Sequence, residues 1–388
     1  MKIGIFTDSF TPQINGVTTS LLLLISGLRA QGHEVYIFAP NNSLKLENQP
    51  ETNTRRYPSI LVWGDQVRLA VPMIRAVTVA KLGLDIIHVH TPGPIGMAGT
   101  RVGAKLGLPL VYTYHTRVER YAHYYLHLPS WMEKGTLALI AKRFYDLHDA
   151  IVAPSRGIKN ELAQYITKPI TVIPTGINIA ENQQMTDENF IPKFFKKYNL
   201  APTDQLLITA SRISKEKNIQ FVIEAFEKIQ KSCPNAKLLI AGNGPDKESL
   251  MNEIKKTNQK SIIFLDFLKH EQLFALYRLS KAFLFASTTE TQGLVVLEAL
   301  AMGLPVVALT ATGIEDMLMN NIGGFMTTPD QNIFADKAIS LISDPILWTK
   351  KNQEALRRAQ DFSDEKTTGQ MLELYKNLIQ KKSAQNAR

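Results

Sequence analysis

Short apolar runs and longer segments with apolar positions three and four apart alternate along most of the chain. In the first half the short runs are "KIGIF", "EVYIFAP", "DIIHVHTP", "LPLVYTYHT", "AIVAPS" and "ITVIPTG". Between them lie helical patterns in "VTTSLLLLISGLRAQG", in "IGMAGTRVGAKLG", and from about Arg156 to Tyr165. Apolar strand-like runs separated by helical periodicity predict βαβ units and a parallel sheet covered by helices.

After Asn178 the pattern weakens through "IAENQQMTDENFIPKFFKKYNLAPTD", which reads as an interdomain linker and an entering helix. It resumes with "QLLITASR", the helical "NIQFVIEAFEKIQKSC", "AKLLIAGNG", "SIIFLDFL", the helical "HEQLFALYRLS", "AFLFAS", "PVVALT" and "GGFMTT". The expected fold is therefore α/β, with two Rossmann-like domains over 1–178 and 179–365 and a C-terminal helix and tail over 366–388. Met371, Leu374 and Leu378 share a face of that helix, which should dock on a core.

The length of 388 residues also favours two domains, and a composition 45% hydrophobic and 20% charged excludes wholesale disorder. The single cysteine, Cys233, excludes an intrachain disulfide and fits a reducing compartment. The start "MKIGIF" enters a strand-like run without the regions of a signal peptide, and no run of about 20 apolar residues could span a bilayer. A cytoplasmic protein is expected.

The net charge of +9 is unevenly placed, with 18 Lys/Arg against 11 Asp/Glu in residues 1–178 and 26 against 24 in the remainder. From Arg101 to Arg143 seven basic residues are opposed only by Glu119 and Glu133. A local basic surface suits a polyanion: nucleic acid, a phosphorylated substrate or an anionic membrane. It is equally the solvated face of a basic protein. Tyr112 to Tyr125, with Leu126, Leu128 and Trp131, interleave aromatic residues with Arg117 and Arg120. Such a mixture suits a membrane interface, nucleic-acid stacking, or ordinary core packing.

Several strand ends carry candidate chemistry, because open α/β sheets bind ligands at that edge. "TDSFTPQINGVTTS" has Gly16 but no G-x-G-x-x-G, which disfavours a nicotinamide or flavin enzyme. Gly16 could admit a phosphate or sugar to the backbone, and taken alone it is also a plain turn glycine. His115 follows "LPLVYTY" and could hydrogen-bond a substrate or move a proton, or be structural. "ASRISKEKN" places Arg212 and Lys217 where a strand gives way to a helix, an arrangement able to clamp a pyrophosphate and also common on solvated surfaces. "STTETQGLVVLEALAMGLPVVA" sets Glu290 before a helix and Glu298 within it, in otherwise apolar surroundings. Amides of Gly293, Leu294 and Val295 at the helix start could hold a diphosphate, while the two carboxylates accept hydroxyls of a sugar and a ribose. Favourable placement at the helix dipole would explain Glu290 better than Glu298.

Together "SRISKEKN" and "ETQGLVVLE", the second an E-x7-E pattern, resemble the nucleotide-sugar site of family 4 retaining glycosyltransferases with the GT-B fold. "DSFTPQINGVTTS", "IIHVHTPGPIG", "YTYHT", "APS", "VIPTGIN", "AGNGPD" and "EALAMGLPVVA" follow in that family's order over essentially the whole chain. The resemblance implies two Rossmann-like domains facing across a cleft, with the C-terminal helix crossing back to the N-terminal domain. It implies Arg212 and Lys217 on the donor diphosphate, Glu290 on the transferred sugar and Glu298 on the ribose. Gly16 would line the cleft, and His115 would bond a donor-sugar hydroxyl near the reacting centre. Thr-Gln-Gly stands where many relatives have Phe-Gly, and "ATGIED" where they have Gly-Gly before the donor-binding helix.

The "DSFTPQINGV", "YHT" and "TETQGL" wording is most similar to the branch that acts on diacylglycerol. That implies transfer of a hexose, glucose from UDP-glucose, to diacylglycerol by a protein peripheral to the inner face of the cell membrane, its basic half on anionic lipid. No nucleic-acid partner is expected, and without an Asp-x-Asp motif no obligatory metal, with magnesium acting at most indirectly. Other donors and acceptors within the family stay open: phosphatidylinositol with GDP-mannose, an already glycosylated lipid, or a soluble polysaccharide. A basic nucleic-acid-binding protein or a non-catalytic membrane scaffold is the alternative outside it.

Overall fold

The chain divides into two units, Met1–Gly176 together with Asp364–Arg388, and Ile177–Ser363. This computed structural model describes every residue except 14, 42–46, 50–51, 64–66, 116–142, 165, 186, 188, 257–258 and 387–388. Most of the aromatic and basic stretch singled out in the sequence, Arg117 to Lys142, lies outside the described residues.

The first unit runs β1 (Lys2–Phe6), α1 (Gly16–Ala30), β2 (Glu34–Pro40), β3 (Glu47–Gln49), β4 (Thr54–Tyr57), β5 (Ser59–Trp63), β6 (Val67–Ala70), α2 (Ala76–Ala80), β7 (Ile86–Val89), α3 (Pro94–Leu106), β8 (Leu110–Thr113), β9 (Ala150–Ala153), α4 (Arg156–Leu162) and β10 (Ile170–Val172). The second continues with α5 (Ile179–Gln184), α6 (Phe190–Tyr198), β11 (Gln205–Ala210), α7 (Ile219–Ser232), β12 (Ala236–Ala241), α8 (Lys247–Lys256), β13 (Ile262–Leu265), α9 (His270–Leu279), β14 (Ala282–Phe285), α10 (Leu294–Ala301), β15 (Val306–Leu309), β16 (Gly324–Thr327), α11 (Gln331–Ser343) and α12 (Pro345–Gln360). The last helix, α13 (Asp364–Asn386), belongs to the first unit.

The first sheet has the order β10-β9-β8-β7-β1-β2-β4-β3 and is parallel but for the β3–β4 pair. β1 lies between β2 and β7, so the connections leaving β1 and β7 part company there. Such a reversal opens a crevice beyond the strand ends, and both Gly16 and the segment after β7 border it. Alternation along the strands divides the core by face. Ile87, Val89, Tyr112 and Ile151 pack with Ile95 and Val102 of α3 and Ile158 of α4. Ile3, Ile5, Ile86, Val111 and Val152 pack with Leu21 and Ile25 of α1 and with Met371, Leu372 and Tyr375 of α13.

The second sheet is wholly parallel, in the order β13-β12-β11-β14-β15-β16. Its reversal lies at β11 and β14, whose following loops carry Arg212 and Glu290. Leu206, Ile208, Phe283 and Phe285 face α9, α10 and α12, while Leu207, Leu284 and Val307 face α7 and α11.

Residues 179–204 are not a linker. α5 and α6 pack on the second unit's own core, with Ile179 and Phe194 buried in it and Phe190, Phe195 and Tyr198 against it. The helices α11 and α12 fill a stretch left unassigned in the sequence. Each is started by an aspartate: Asp330 accepts from the Asn332 and Ile333 amides, and Asp344 from those of Ile346 and Leu347, with Pro345 at the first helical position.

Candidate active site

The expected site residues divide between the units: Gly16 and His115 in the first, Arg212, Lys217, Glu290, Gly293, Leu294, Val295 and Glu298 in the second.

Gly16 is the first residue of α1, entered from Asn15, whose side chain accepts from the Thr18 amide. A Cβ at Gly16 would meet nothing within 4 Å, so packing does not demand glycine there. Across the switch point, Asp8 performs a task the sequence reading missed. Its carboxylate accepts from Thr91 Oγ1 at 2.7 Å and from the Ile95 and Gly96 amides at 2.8 and 3.2 Å. It thereby satisfies the start of α3 from a loop more than 80 residues away. Burial raises its carboxyl above the usual range, against the pull of those donors.

His115 stands two residues past β8 and does not stand alone. Its Nε2 is 2.8 Å from Nδ1 of His90, the residue after β7, and the ring of His88 lies against that of His90, tilted by 36° with centroids 3.9 Å apart. Burial lowers the pKa of His115 to about 4 and those of His88 and His90 well below 6.5, so all three rings are neutral at pH 7. The signal for this cluster was present in "HVH", whose period of two puts both rings on one side of β7.

In the second unit the turns after β11 and β12 are zipped together by backbone. The Ser211 amide donates to the Ala241 carbonyl at 3.1 Å and the Ile213 amide to the Asn243 carbonyl at 2.9 Å. The turn fixed in this way presents Arg212 exposed on its rim. Lys217 ends a single 3₁₀ turn, Lys215–Lys217, and forms an ion pair with Glu290 in the loop after β14. Ser287 Oγ lies 3.2 Å from the same carboxylate oxygen and 3.3 Å from the Glu216 carbonyl, stitching the two loops. The structure thus brings Lys217 and Glu290 together, residues that the sequence reading gave to different parts of a ligand.

The Glu290 loop is also backed from behind. A Cβ at Gly313 would overlap the Glu290 carbonyl, so the turn 311–316 can lie there only with glycine at that position. This turn is "ATGIED", and it follows α10 and β15 rather than preceding the helix. Gly293 caps α10 with φ of 77°, a left-handed conformation that a side chain would strain. The amides of Leu294 and Val295 come before any acceptor the helix itself can supply.

Glu298 is the fifth residue of an eight-residue helix, too far along for the positive end of the dipole to favour its charge. Although part of it reaches solvent, burial of the carboxyl raises its pKa to about 7. Behind it, Tyr277 of α9 is fully buried, its hydroxyl has no hydrogen-bond partner among the described residues, and the negative charge of Glu298 helps raise its pKa further. Packing alone gives no reason for a carboxylate here. A hydroxyl-bearing ligand would.

Among the described residues, no group of three or more His, Cys, Asp or Glu could hold a metal ion, and no helix is long and apolar enough to cross a membrane.

Residues 14–181 match the glycosyltransferase family 4 model, and residues 190–361 that of glycosyl transferases group 1. The alpha-monoglucosyldiacylglycerol synthase of Streptococcus pneumoniae is 31% identical over 352 residues, 89% of this chain and 79% of that protein. The protein of that name from Acholeplasma laidlawii is 35% identical over 79% of this chain and 80% of its own length. Among solved structures, sucrose-phosphate synthase from Thermosynechococcus elongatus superposes with a TM-score of 0.74 at 20% identity, covering 97% of this chain and 99% of that one. Anabaena HepE, solved in complex with UDP and glucose, gives 0.72 at 20% identity, covering 97% of this chain and 100% of that one. With two Rossmann-like parallel sheets and these relatives over most of its length, the chain is a glycosyltransferase of the GT-B fold and belongs to glycosyltransferase family 4.

Proposed function

We propose that the protein is a retaining glucosyltransferase that moves glucose from UDP-glucose to the hydroxyl of diacylglycerol at an anionic membrane surface. The observation that carries the donor half is the grouping of Lys217, Glu290 and the start of α10 on two stitched loops, with Glu298 one turn further on. A departing nucleoside diphosphate gains negative charge, which Lys217, the exposed Arg212 and the amides of Gly293, Leu294 and Val295 would stabilise. Glu290 would accept sugar hydroxyls and Glu298 the ribose. The lipid hydroxyl enters on the face the diphosphate leaves, which keeps the anomeric configuration, and the leaving oxygen takes its proton. His115 would bond a sugar hydroxyl, and Gly16 lets the ligand approach the backbone. UDP-bound relatives of the fold and the names of the curated relatives support this donor and acceptor.

The acceptor half draws further support from an apolar surface on the first unit. Ile60 and Leu69, paired across β5 and β6, are about half exposed, and Val71, Met73, Val77 and Met97 extend the surface. A groove of about 440 Å³ between Pro72, Ile74 and α3 ends at Arg101, with exposed Arg75 alongside. Apolar side chains with Arg101 in the groove they line suit acyl chains beneath anionic headgroups, each basic residue adding about 1 kcal/mol. The protein would then act as a peripheral enzyme on the inner leaflet.

The test is product analysis with labelled UDP-glucose, UDP-galactose and GDP-mannose, on vesicles holding diacylglycerol, glucosyldiacylglycerol or phosphatidylinositol, and on soluble sugars. An α-glucosyl diacylglycerol made from UDP-glucose, more of it on anionic vesicles, is the expected result. Preferential use of GDP-mannose or of a soluble acceptor would overturn it.

A further inference from the structure

The turn that backs the Glu290 loop reaches under the start of α10 as well. A Cβ on Gly313 would overlap the Glu290 carbonyl, and one on Gly293 would lie 3.7 Å from Met317 Cε and 3.8 Å from Ile314 Cγ1. Ile314, Met317 and Leu318 are fully buried in the core that also takes Val296 and Leu297 of α10. Little within the segment makes it rigid. Between β15 and β16 the only helical element is a 3₁₀ turn, Met319–Asn321. The bonds before it close single turns: the Ala311 carbonyl accepts from the Ile314 and Glu315 amides, and the Ile314 carbonyl from those of Met317 and Leu318.

Arg358, in the last turn of α12, fastens this segment from outside. Ala355 and Ala359, both fully buried, seat that stretch of α12 on the same core. From there Arg358 Nε donates to the Met317 carbonyl at 3.0 Å and Nη2 donates to the Asp316 carbonyl. The third arm, Nη1, donates to Asp361 at 2.7 Å, and the guanidinium carbon stands 5.1 Å from the centre of the Phe362 ring. A planar fork on two successive carbonyls fixes direction as well as distance, and Asp361 and Phe362 hold the fork itself. Any cation near a helix C-terminus is favoured by the dipole, but the exposed neighbour Arg357 would serve that purpose equally. The dipole does not account for the two carbonyls.

We infer that Arg358 is a positioning residue, which holds the turn 311–317 against the Glu290 loop and the start of α10 and so sets where Glu290 stands. It touches no ligand and acts only through that turn. The effect on catalysis rests on the proposed place of Glu290 beside the transferred sugar; the hold on the turn does not.

The experiment compares Arg358→Gln and Arg358→Lys with a control, Arg357→Gln, in the full chain. Hydrogen exchange read by mass spectrometry should speed up in Arg358→Gln over 287–295 and 311–318 and stay unchanged in α7, which a general loss of stability would move too. Its kcat should fall about ten- to a hundredfold, with KM for UDP-glucose changing less than about threefold. Arg358→Lys, which can reach one carbonyl but cannot fork, should recover part of that loss, and Arg357→Gln should match the wild type. Gly313→Ala disturbs the same loop, so its combination with Arg358→Gln should lower kcat by less than the product of the two separate losses. Should Arg358→Gln fail to fold, Arg358→Lys carries the same comparison as the milder change. Exchange unchanged over 287–295, exchange equally faster in α7, or losses in kcat that multiply would overturn the inference. Faster exchange over 287–295 with normal turnover in both Arg358→Gln and Glu290→Gln would instead remove Glu290 from the sugar site and leave Arg358 as the residue that holds the turn.

Discussion

Lys217 and Glu290, 73 positions apart, form an ion pair whose side chains are only 18% and 19% exposed. In a half-buried pair, removing either partner takes a charge-assisted hydrogen bond from the other, so the two positions are coupled.

Lys217→Met and Glu290→Gln are each expected to lower unfolding free energy by about 1–3 kcal/mol. The double variant should be less destabilised than the sum, and each single change should cut turnover by roughly a hundredfold or more. Urea denaturation with initial rates tests this; strictly additive stabilities would mean that the pair is not coupled.

Glu298 gives the protein a pH signature. Its folded-state pKa is raised from 4.5 to about 7, so its contribution to stability is fully present below pH 4.5, declines as pH rises through 7, and is flat beyond. Glu298→Gln should remove that decline and be more stable than the wild type at pH 8, by on the order of 1–3 kcal/mol. UDP affinity should rise from pH 6 to 8 in the wild type as the carboxylate ionises to accept ribose hydroxyls. Calorimetry of the variant should show a flatter profile, and identical profiles would take Glu298 out of the donor site.

Gly313→Ala puts a methyl where the Glu290 carbonyl lies, so the loop, rather than the fold, must yield. A displacement near 1 Å at a reacting centre costs on the order of a hundredfold in rate. The variant should keep most of its stability and lose most of its turnover. Normal kcat would show that the turn 311–316 does not set the position of Glu290.

Met73→Ser combined with Val77→Ser changes two exposed side chains and nothing in the core. Sedimentation with anionic vesicles should fall at least severalfold, and activity on detergent-dispersed diacylglycerol should stay near normal. Unchanged vesicle binding would exclude this surface as the membrane contact.

The alternation of strands and helices made the second sheet and six strands of the first legible, because parallel strands buried on two faces read as continuous apolar runs. The polar strands β3 and β4 at the edge of the first sheet and the β5–β6 pair went unread. The E-x7-E spacing likewise marked one loop and one helix of the second unit. What stayed hidden depends on distance along the chain. Asp8 meets Thr91, Ile95 and Gly96, and His90 meets His115, through contacts that no local window contains. The segment 179–204 was misread for a different reason. The entering helix is there, with Phe190, Phe194, Phe195 and Tyr198 as an apolar stripe at helical spacing, but the polar stretch before it hid the short α5, whose Ile179 is buried in the same core.

The chain leaves the first unit at Gly176 and returns to it at Asp364, so that unit is written in two pieces of the sequence. During synthesis, the sheet face covered by Met371, Leu372 and Tyr375 stays open until α13 has been translated, after the whole of the second unit, which can fold first. Nascent protein halted before α13 would present that uncovered face to chaperones and lack the hydroxyl that holds His88.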